Sequence, residues 1–425
     1  MNRCTVLLNE VDLRVVNFRL AFLITALGCA FALRAQSKYD GDNTRYRTIS
    51  LEELPAALSK SPEALLLDVR TPGEFSDTSH WTSLNIGHLK GAANIDDREV
   101  GRRLSELPDR NRPIYLYCSH SQRSRRVGNL LADSGYTNVI NVNGGMSRYW
   151  NEQDRLPMMD GLIERSVGYG IVNPNRLCEW TVQRPVFFLD VRPDSLFEEV
   201  RRPEWMNAYG SITGSTRIPW EHLSEAKDRI PRDRPIVVVA NETVDETLAA
   251  LELQQLGFTD VHILFEGLES LIDLSVERCP CKDRIWKSEV PYSTIGLDRL
   301  DSSAILAGTT VVIDIRPTDE YDGIAKTGWA NLGRFRIARH VPAAEMKDRM
   351  GSLGIAKETP VVLVGRRMEE DLFSAARTLT DMGYTQVKIL SSGIWGIRWE
   401  AHNLPGLAAW DTWVIPYAKV KPQGQ

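Results

Sequence analysis

The sequence predicts an α/β protein built from three tandem copies of one domain, each a mostly parallel sheet with helices on both faces. A long divergent repeat is the first observation. LLLDVRTPGEF (65–75) recurs as FFLDVRPDSLF (187–197) and VVIDIRPTDEY (311–321), setting Asp68, Asp190 and Asp314 apart by 122 and 124 residues. Self-similarity at such a period marks one structural unit written several times. The second observation is the kind of strand. Unbroken β-branched runs bounded by proline and glycine read as strands buried on both faces, and the helical stretches between them imply parallel pairing.

Each unit has the same order. The Asp-x-Arg strand end leads into a loop containing Trp81, Trp205 or Trp329, read as anchoring that loop to its own core. The first of these insertions, SDTSHWTSLNI (76–86), is a candidate wall of a site mouth. A second strand follows a proline in PIYLYC (113–118), PIVVVA (235–240) and PVVLVG (360–365). A helix such as Ser124–Ser134 comes next, closed by Gly135-Tyr136, Gly257-Phe258 or Gly383-Tyr384. The last strands are VINV (139–142), VHIL (261–264) and VKIL (387–390). The domains are placed at 46–155, 165–275 and 290–404, with linkers of lost periodicity at 151–165 and 274–290. The tail, 405–425, carries Trp410 and Trp413 and is expected to pack back on the third copy.

At 425 residues the chain is too long for one core, and its 43% hydrophobic and 25% charged content is that of a globular protein. A net charge of −5 argues against nucleic acid as a partner. Residues 1–36 read differently. Leu20–Leu33 is a 14-residue apolar run after Arg14 and Arg19, short for a membrane span and suited to the h-region of a signal peptide. Ala30-Phe31-Ala32 or Ala35 offers a cleavage site, and Ala26-Leu27-Gly28-Cys29 is a lipobox look-alike that would leave Cys29 lipidated. Export to a periplasmic or other extracytoplasmic space is the expectation. The alternative is an uncleaved anchor helix, so a membrane is expected only through this N-terminal segment, if retained.

Six cysteines are present: Cys4, Cys29, Cys118, Cys178, Cys279 and Cys281. This is no disulfide scaffold. Cys178 reads as a small hydrophobe and Cys279-Pro-Cys281 as a linker turn, with no metal or other cofactor expected. Cys118 stands apart. It ends a strand run, and ligand sites in such sheets gather outside the carboxyl ends of the strands. Ser119, His120, Ser121 and Gln122 follow it, small or polar, then Arg123 and a helix that opens with Ser124, Arg125 and Arg126. Loop N–H groups, the helix N-terminus and the arginines all favour thiolate over thiol there. Taken alone, a buried strand-end cysteine would be the commoner case.

Here the chain resembles the rhodanese family. The resemblance rests on Asp68-Val69-Arg70, Glu74-Phe75, Gly87-His88-Leu89-Lys90-Gly91-Ala92-Ala93-Asn94-Ile95, Tyr117 through Ser124, and Asn143-Gly144-Gly145 with Trp150. It implies a sulfurtransferase in which Cys118 takes sulfane sulfur from a small donor such as thiosulfate, holds it as a persulfide, and passes it to a thiol or cyanide. In that scheme Ser119, His120, Ser121, Gln122 and Ser124 line the cradle. Arg123 braces the loop through Asp68 or Glu74, with Arg70 supporting, and His88 belongs to a structural turn. The family's usual loop glycine is Ser121 here. His120 reads either as an acid, base or anion donor, or as a solvent-facing residue. Related phosphatases and arsenate reductases use Cys-x5-Arg; Cys-x4-Arg is tighter and suits a single sulfur atom.

The thiol occurs once. Ala240 and Gly365 stand where Cys118 does, so the second and third domains read as catalytically silent scaffold or protein-docking modules. Glu242, Asp245 and Glu246 would oppose an anion in the second loop, whereas Arg366 and Arg367 would attract one in the third. A wholly non-catalytic, sulfur-sensing or binding protein is the rival reading. An exported low-pKa thiol also calls for a redox partner, for which Cys178, Cys279 and Cys281 are the candidates.

Overall fold

The computed structural model describes residues 45–197, 203–241, 243–272, 279–327, 330–397 and 408–416. The leader reading of residues 1–36 and the reading of Trp329 lie outside them. Among the described residues no helix is long and apolar enough to cross a membrane.

Three five-stranded sheets are present, and they share one topology. In the first the order across the sheet is 47–50, 139–143, 114–117, 65–68, 93–94; in the second 170–172, 261–264, 236–239, 187–190, 216–217; in the third 293–295, 387–390, 361–364, 311–314, 339–340. Every pairing within these sheets is parallel. The runs read as strands are the three central ones of each sheet. The edge strands escaped notice because they are short: 93–94 and its counterparts have two residues, and 47–50, 170–172 and 293–295 three or four, too few to show periodicity.

The central strands bury both faces. Ile114–Tyr117, Ile236–Val239 and Val361–Val364 are buried at every residue. One face of the first sheet packs Leu67, Leu116, Val127 and Leu131 with Cys118. The other, through Leu66, Tyr115, Ile140 and Val142, belongs to an apolar cluster that continues into Ile171, Val238 and Leu253 of the second domain. The first two domains therefore share a core across the linker.

Each Asp-x-Arg is a buried ion pair: Asp68–Arg70, Asp190–Arg192 and Asp314–Arg316, at 2.7, 2.6 and 2.6 Å. The arginine reaches on to the carbonyl of Gly87, Gly210 or Gly333. A strap then closes each unit. Segment 163–164 pairs antiparallel with 88–89, 286–287 with 211–212, and 414–415 with 334–335. The linkers read as irregular are thus part strap. The tail does pack on the third domain, with Trp410 and Val414 in its core.

Two expectations are corrected. Trp81 anchors nothing, being 67% exposed. Trp205, by contrast, does pack on its own domain's core, edge-on against Tyr209, where the second domain meets the third beside Phe373. Cys178 is no isolated hydrophobe: it is disulfide-bonded to Cys281, which ties the helix Pro174–Gln183 to the second linker. That removes both as partners for Cys118, which is a free thiol.

Candidate active site

Cys118 directly follows the central strand Ile114–Tyr117, and the helix Gln122–Asp133 begins four residues later, two residues before the sequence suggested. The loop between them is held from behind by the Asn143-Gly144-Gly145 turn. Met146 N–H donates to the Cys118 carbonyl and Ser147 N–H to that of Ser119, both at 3.0 Å. Glycine at 145 is required by space. Its φ is +58°, and a Cβ there would lie 2.1 Å from the Cys118 carbonyl oxygen. Ser121, where the family has glycine, takes φ +70°. Its hydroxyl has a built partner, accepting the Gly144 N–H at 2.6 Å. That bond offsets the left-handed backbone cost, typically about 1–2 kcal/mol.

The brace is Arg123 with Glu74. Both Arg123 terminal nitrogens donate to the Glu74 carboxylate, at 2.6 and 2.7 Å, while one also reaches Ser119 Oγ at 3.0 Å. Glu74 is 2% exposed and further accepts from the Thr71 N–H and hydroxyl as the capping box of the short helix Pro72–Phe75. Burial raises its pKa, but the bonds from Arg123 and Thr71 together outweigh that and hold the carboxyl below the usual range. Asp68, the other candidate partner, is committed to Arg70. The same buried pair in both copies without a thiol marks Asp68 and Arg70 as fold staples. His88, as expected, is structural, packing at a tilt against Phe75 and facing Glu164.

The remaining loop residues divide. Ser119 is buried and His120 half-buried, its Nδ1 3.0 Å from Ser119 Oγ. Burial and the neighbouring Arg123 push His120 down to about 4, so it is neutral near pH 7. Gln122 is exposed at the first helical position. Ser124 is fully buried with its Oγ 3.7 Å from Cys118 Sγ. Arg126 turns away to Asp97, its charge spent on a partner outside the loop.

Sequence reading missed Asn141. It lies on the strand Val139–Asn143 beside the thiol strand, fully buried, and its Oδ1 accepts from Ser124 Oγ at 2.7 Å. Its Nδ2 has no hydrogen-bond partner among the described residues. With the amide turned over, Asn141 would donate to Ser124 and leave the serine proton for the sulfur. The signal was present. An asparagine at the third position of VINVN contrasts with Ile263 and Ile389 at the same position of the copies without the thiol.

Those copies are blocked in different ways. In the second domain Leu196 replaces Glu74, and Glu246 fills the loop, fully buried and accepting the Ala240 N–H at 2.6 Å. Burial pushes its carboxyl pKa well up. In the third domain Glu320 is kept but meets Arg366, which also binds Glu369; Arg367 lies over the Trp395 ring. Ala240→Cys is therefore expected to add no reactive thiol, because Glu246 occupies the space beside it. Counting rapidly alkylated cysteines in the variant checks this, and one extra would show the second loop open.

The rhodanese-like domain model matches residues 50–152, 176–273 and 298–398. The chain belongs to the rhodanese-like family. Among relatives, an uncharacterized protein YqhL of Bacillus subtilis is 31% identical over 127 residues, 30% of this chain and 90% of the relative. A sulfurtransferase of Allochromatium vinosum is 30% identical over 98 residues, 23% of this chain and 82% of its own. Thiosulfate sulfurtransferase PspE of Escherichia coli is 32% identical over 79 residues, 18% of this chain and 67% of its own. These likenesses each span about one rhodanese-like domain. A solved thiosulfate sulfurtransferase from Pseudomonas aeruginosa aligns over 87% of this chain and 69% of its own at 20% identity; at a TM-score of 0.23 that likeness is too loose to bear on domain arrangement.

Proposed function

We propose that this protein is a sulfurtransferase whose one active thiol is Cys118, moving sulfane sulfur from a donor such as thiosulfate to a nucleophilic acceptor. The observation that carries the reading is the Cys118 loop, set at the carboxyl end of the central strand and braced by the Arg123–Glu74 pair. Thiosulfate sulfurtransferases among the relatives support the substrate class.

The chemistry balances simply. The Cys118 thiolate attacks the outer sulfur of thiosulfate, the S–S bond breaks, and sulfite leaves with the electron pair. Cyanide or a thiolate then attacks the terminal sulfur of the persulfide and releases the Cys118 thiolate. Arg123, reaching into the loop, sets positive charge beside both anions. Ser124 Oγ offers a hydrogen bond to the sulfur.

Mass spectrometry before and after thiosulfate, beside Cys118→Ser, tests the reading. One sulfur gained on the Cys118 peptide, and lost on adding cyanide, is the expected result. An unmodified Cys118 with thiosulfate and other sulfane donors would leave a binding scaffold, the reading favoured by two silent copies. Export from the cytoplasm is part of the proposal and rests on the apolar run Leu20–Leu33.

The silent domains have a structural role in this scheme. Helix Thr243–Gln255 of the second domain lies against the turn Thr82–Leu84 in the loop beyond Glu74, with Thr247 hydrogen-bonded to Thr82. Asp77, in the same loop, accepts the N–H groups of Gly87 and Ser166. We propose that the second domain buttresses the wall of the active domain, and that docking of a protein acceptor uses the second and third domains.

A further inference from the structure

Cys178, Cys279 and Cys281 converge from positions about a hundred residues apart, their sulfur atoms all within 4.8 Å of one another. Cys279 and Cys281 are 0% and 6% exposed, and Cys178 is half-buried. A covalent staple needs two cysteines. The third, Cys279, is a free thiol beside the Cys178–Cys281 bond, where it is able to exchange with it. As part of a staple alone it is a liability.

The three sulfurs are set among backbone polar groups. The backbone N–H of Cys281 points at Cys178 Sγ from 3.1 Å, and Cys279 Sγ lies 3.7 Å from the Pro174 carbonyl oxygen. The Lys282 ammonium adds positive charge near Cys279. Among the described residues no histidine or carboxylate joins the sulfur group. Three cysteine sulfurs, two buried and one half-buried, with no hard ligand beside them among the described residues, suit a soft ion of low coordination number once reduced, and Cu(I) is the first-row ion that fits. Zn(II) asks for a fourth ligand that the group does not supply.

We propose that Cys178, Cys279 and Cys281 form a redox-gated Cu(I) site at the junction of the second domain and its linker. Its formation balances as two steps. A small dithiol reduces the Cys178–Cys281 bond, giving two thiols and itself becoming a disulfide. Cu(I) then displaces three thiol protons and forms three Cu–S bonds, the Cys281 N–H and Lys282 offsetting the net negative charge. Disulfide and metal are alternative states of the same sulfurs: a small disulfide that takes two electrons and becomes two thiols re-forms the Cys178–Cys281 bond and ejects the ion. The site is independent of Cys118.

The test is Cu(I) titration of the full chain, reduced and then freed of reductant under anaerobic conditions, against a chromophoric Cu(I) chelator. One tightly held Cu(I) per chain is expected in the reduced protein and in its Cys118→Ser variant, with none held at this site in the oxidised protein. Cys279→Ser should weaken binding by more than the roughly 10–100-fold that loss of an outer-shell partner costs. X-ray absorption of the loaded wild type should count three sulfurs around copper. Two sulfurs, or unchanged affinity in Cys279→Ser, would overturn the site, as would a reduced protein that binds no Cu(I). Zn(II) titrated in parallel should bind more weakly. The X-ray absorption arm needs no variant to fold.

Discussion

Gly145→Ala is expected to cut sulfur transfer by about 100-fold while leaving a folded protein. The new Cβ would stand 2.1 Å from the Cys118 carbonyl oxygen and 2.7 Å from that of Ser119, contacts no side chain tolerates. Both obstacles are backbone, so relief requires moving the thiol loop itself. The move breaks the bonds that Met146 and Ser147 make to that loop. The left-handed φ of +58° adds its own penalty. Together these imply a stability loss of about 3 kcal/mol, within the margin of a typical domain. The transfer rate should fall by about 100-fold, the effect of displacing a reacting group by about 1 Å.

Two glycines supply controls. Gly91, at φ +75°, has open space where a Cβ would stand, with nothing within 4 Å, so Gly91→Ala should cost only conformational strain and spare transfer. Gly267 makes the equivalent close approach to the Ala240 carbonyl in the silent second domain. Gly267→Ala should destabilise by a similar amount with the Cys118 reaction rate intact. Thermal unfolding beside steady-state transfer rates separates the three variants. A Gly145→Ala enzyme of normal rate would mean that the turn does not position the loop.

Glu74→Gln is the second large effect, and it acts through charge. Removing one partner of a buried ion pair leaves the other uncompensated, a loss of about 3–5 kcal/mol when both are fully buried. Arg123 keeps 20% of its side chain exposed, so water screens part of the loss and the lower end, about 3 kcal/mol, is expected. The glutamine still accepts one bond from Arg123, so the rate should fall less in Glu74→Gln than in Glu74→Ala. Equal rates in the two would argue against a bracing role.

The same carboxylate gives a pH dependence. Its folded pKa lies below its unfolded one, because the bonds from Arg123 and Thr71 outweigh burial. The unfolded chain therefore binds the extra proton first as pH falls. Glu74's contribution is complete above the unfolded value of about 4.3 and is lost as pH drops through the folded value. Wild type should lose stability in that acid window more steeply than Glu74→Gln. Denaturant unfolding at stepped pH measures the difference, and parallel curves would refute the linkage.

Much of this molecule was legible before any coordinates. The repeat, the central strands of each sheet, the thiol at a strand end and the missing thiols at Ala240 and Gly365 are local patterns: a buried parallel strand needs a continuous apolar run, and the residue ending it is found by counting. What pairs with what was not legible. Asp68 and Glu74 are both acids near the start of the domain, and choosing Arg123's partner required knowing that Asp68 was already held by Arg70, two residues along the same chain. Asn141 became part of the thiol's surroundings only because the last strand lies beside the fourth. Cys178 met Cys281 across 103 residues through packing that no periodicity encodes. Sequence alone determined the elements and the strand-end position of Cys118, because those depend on neighbours a few residues away; tertiary structure decided the brace, the straps and the sulfur cluster, because each joins side chains whose distance is set by strand order and domain packing.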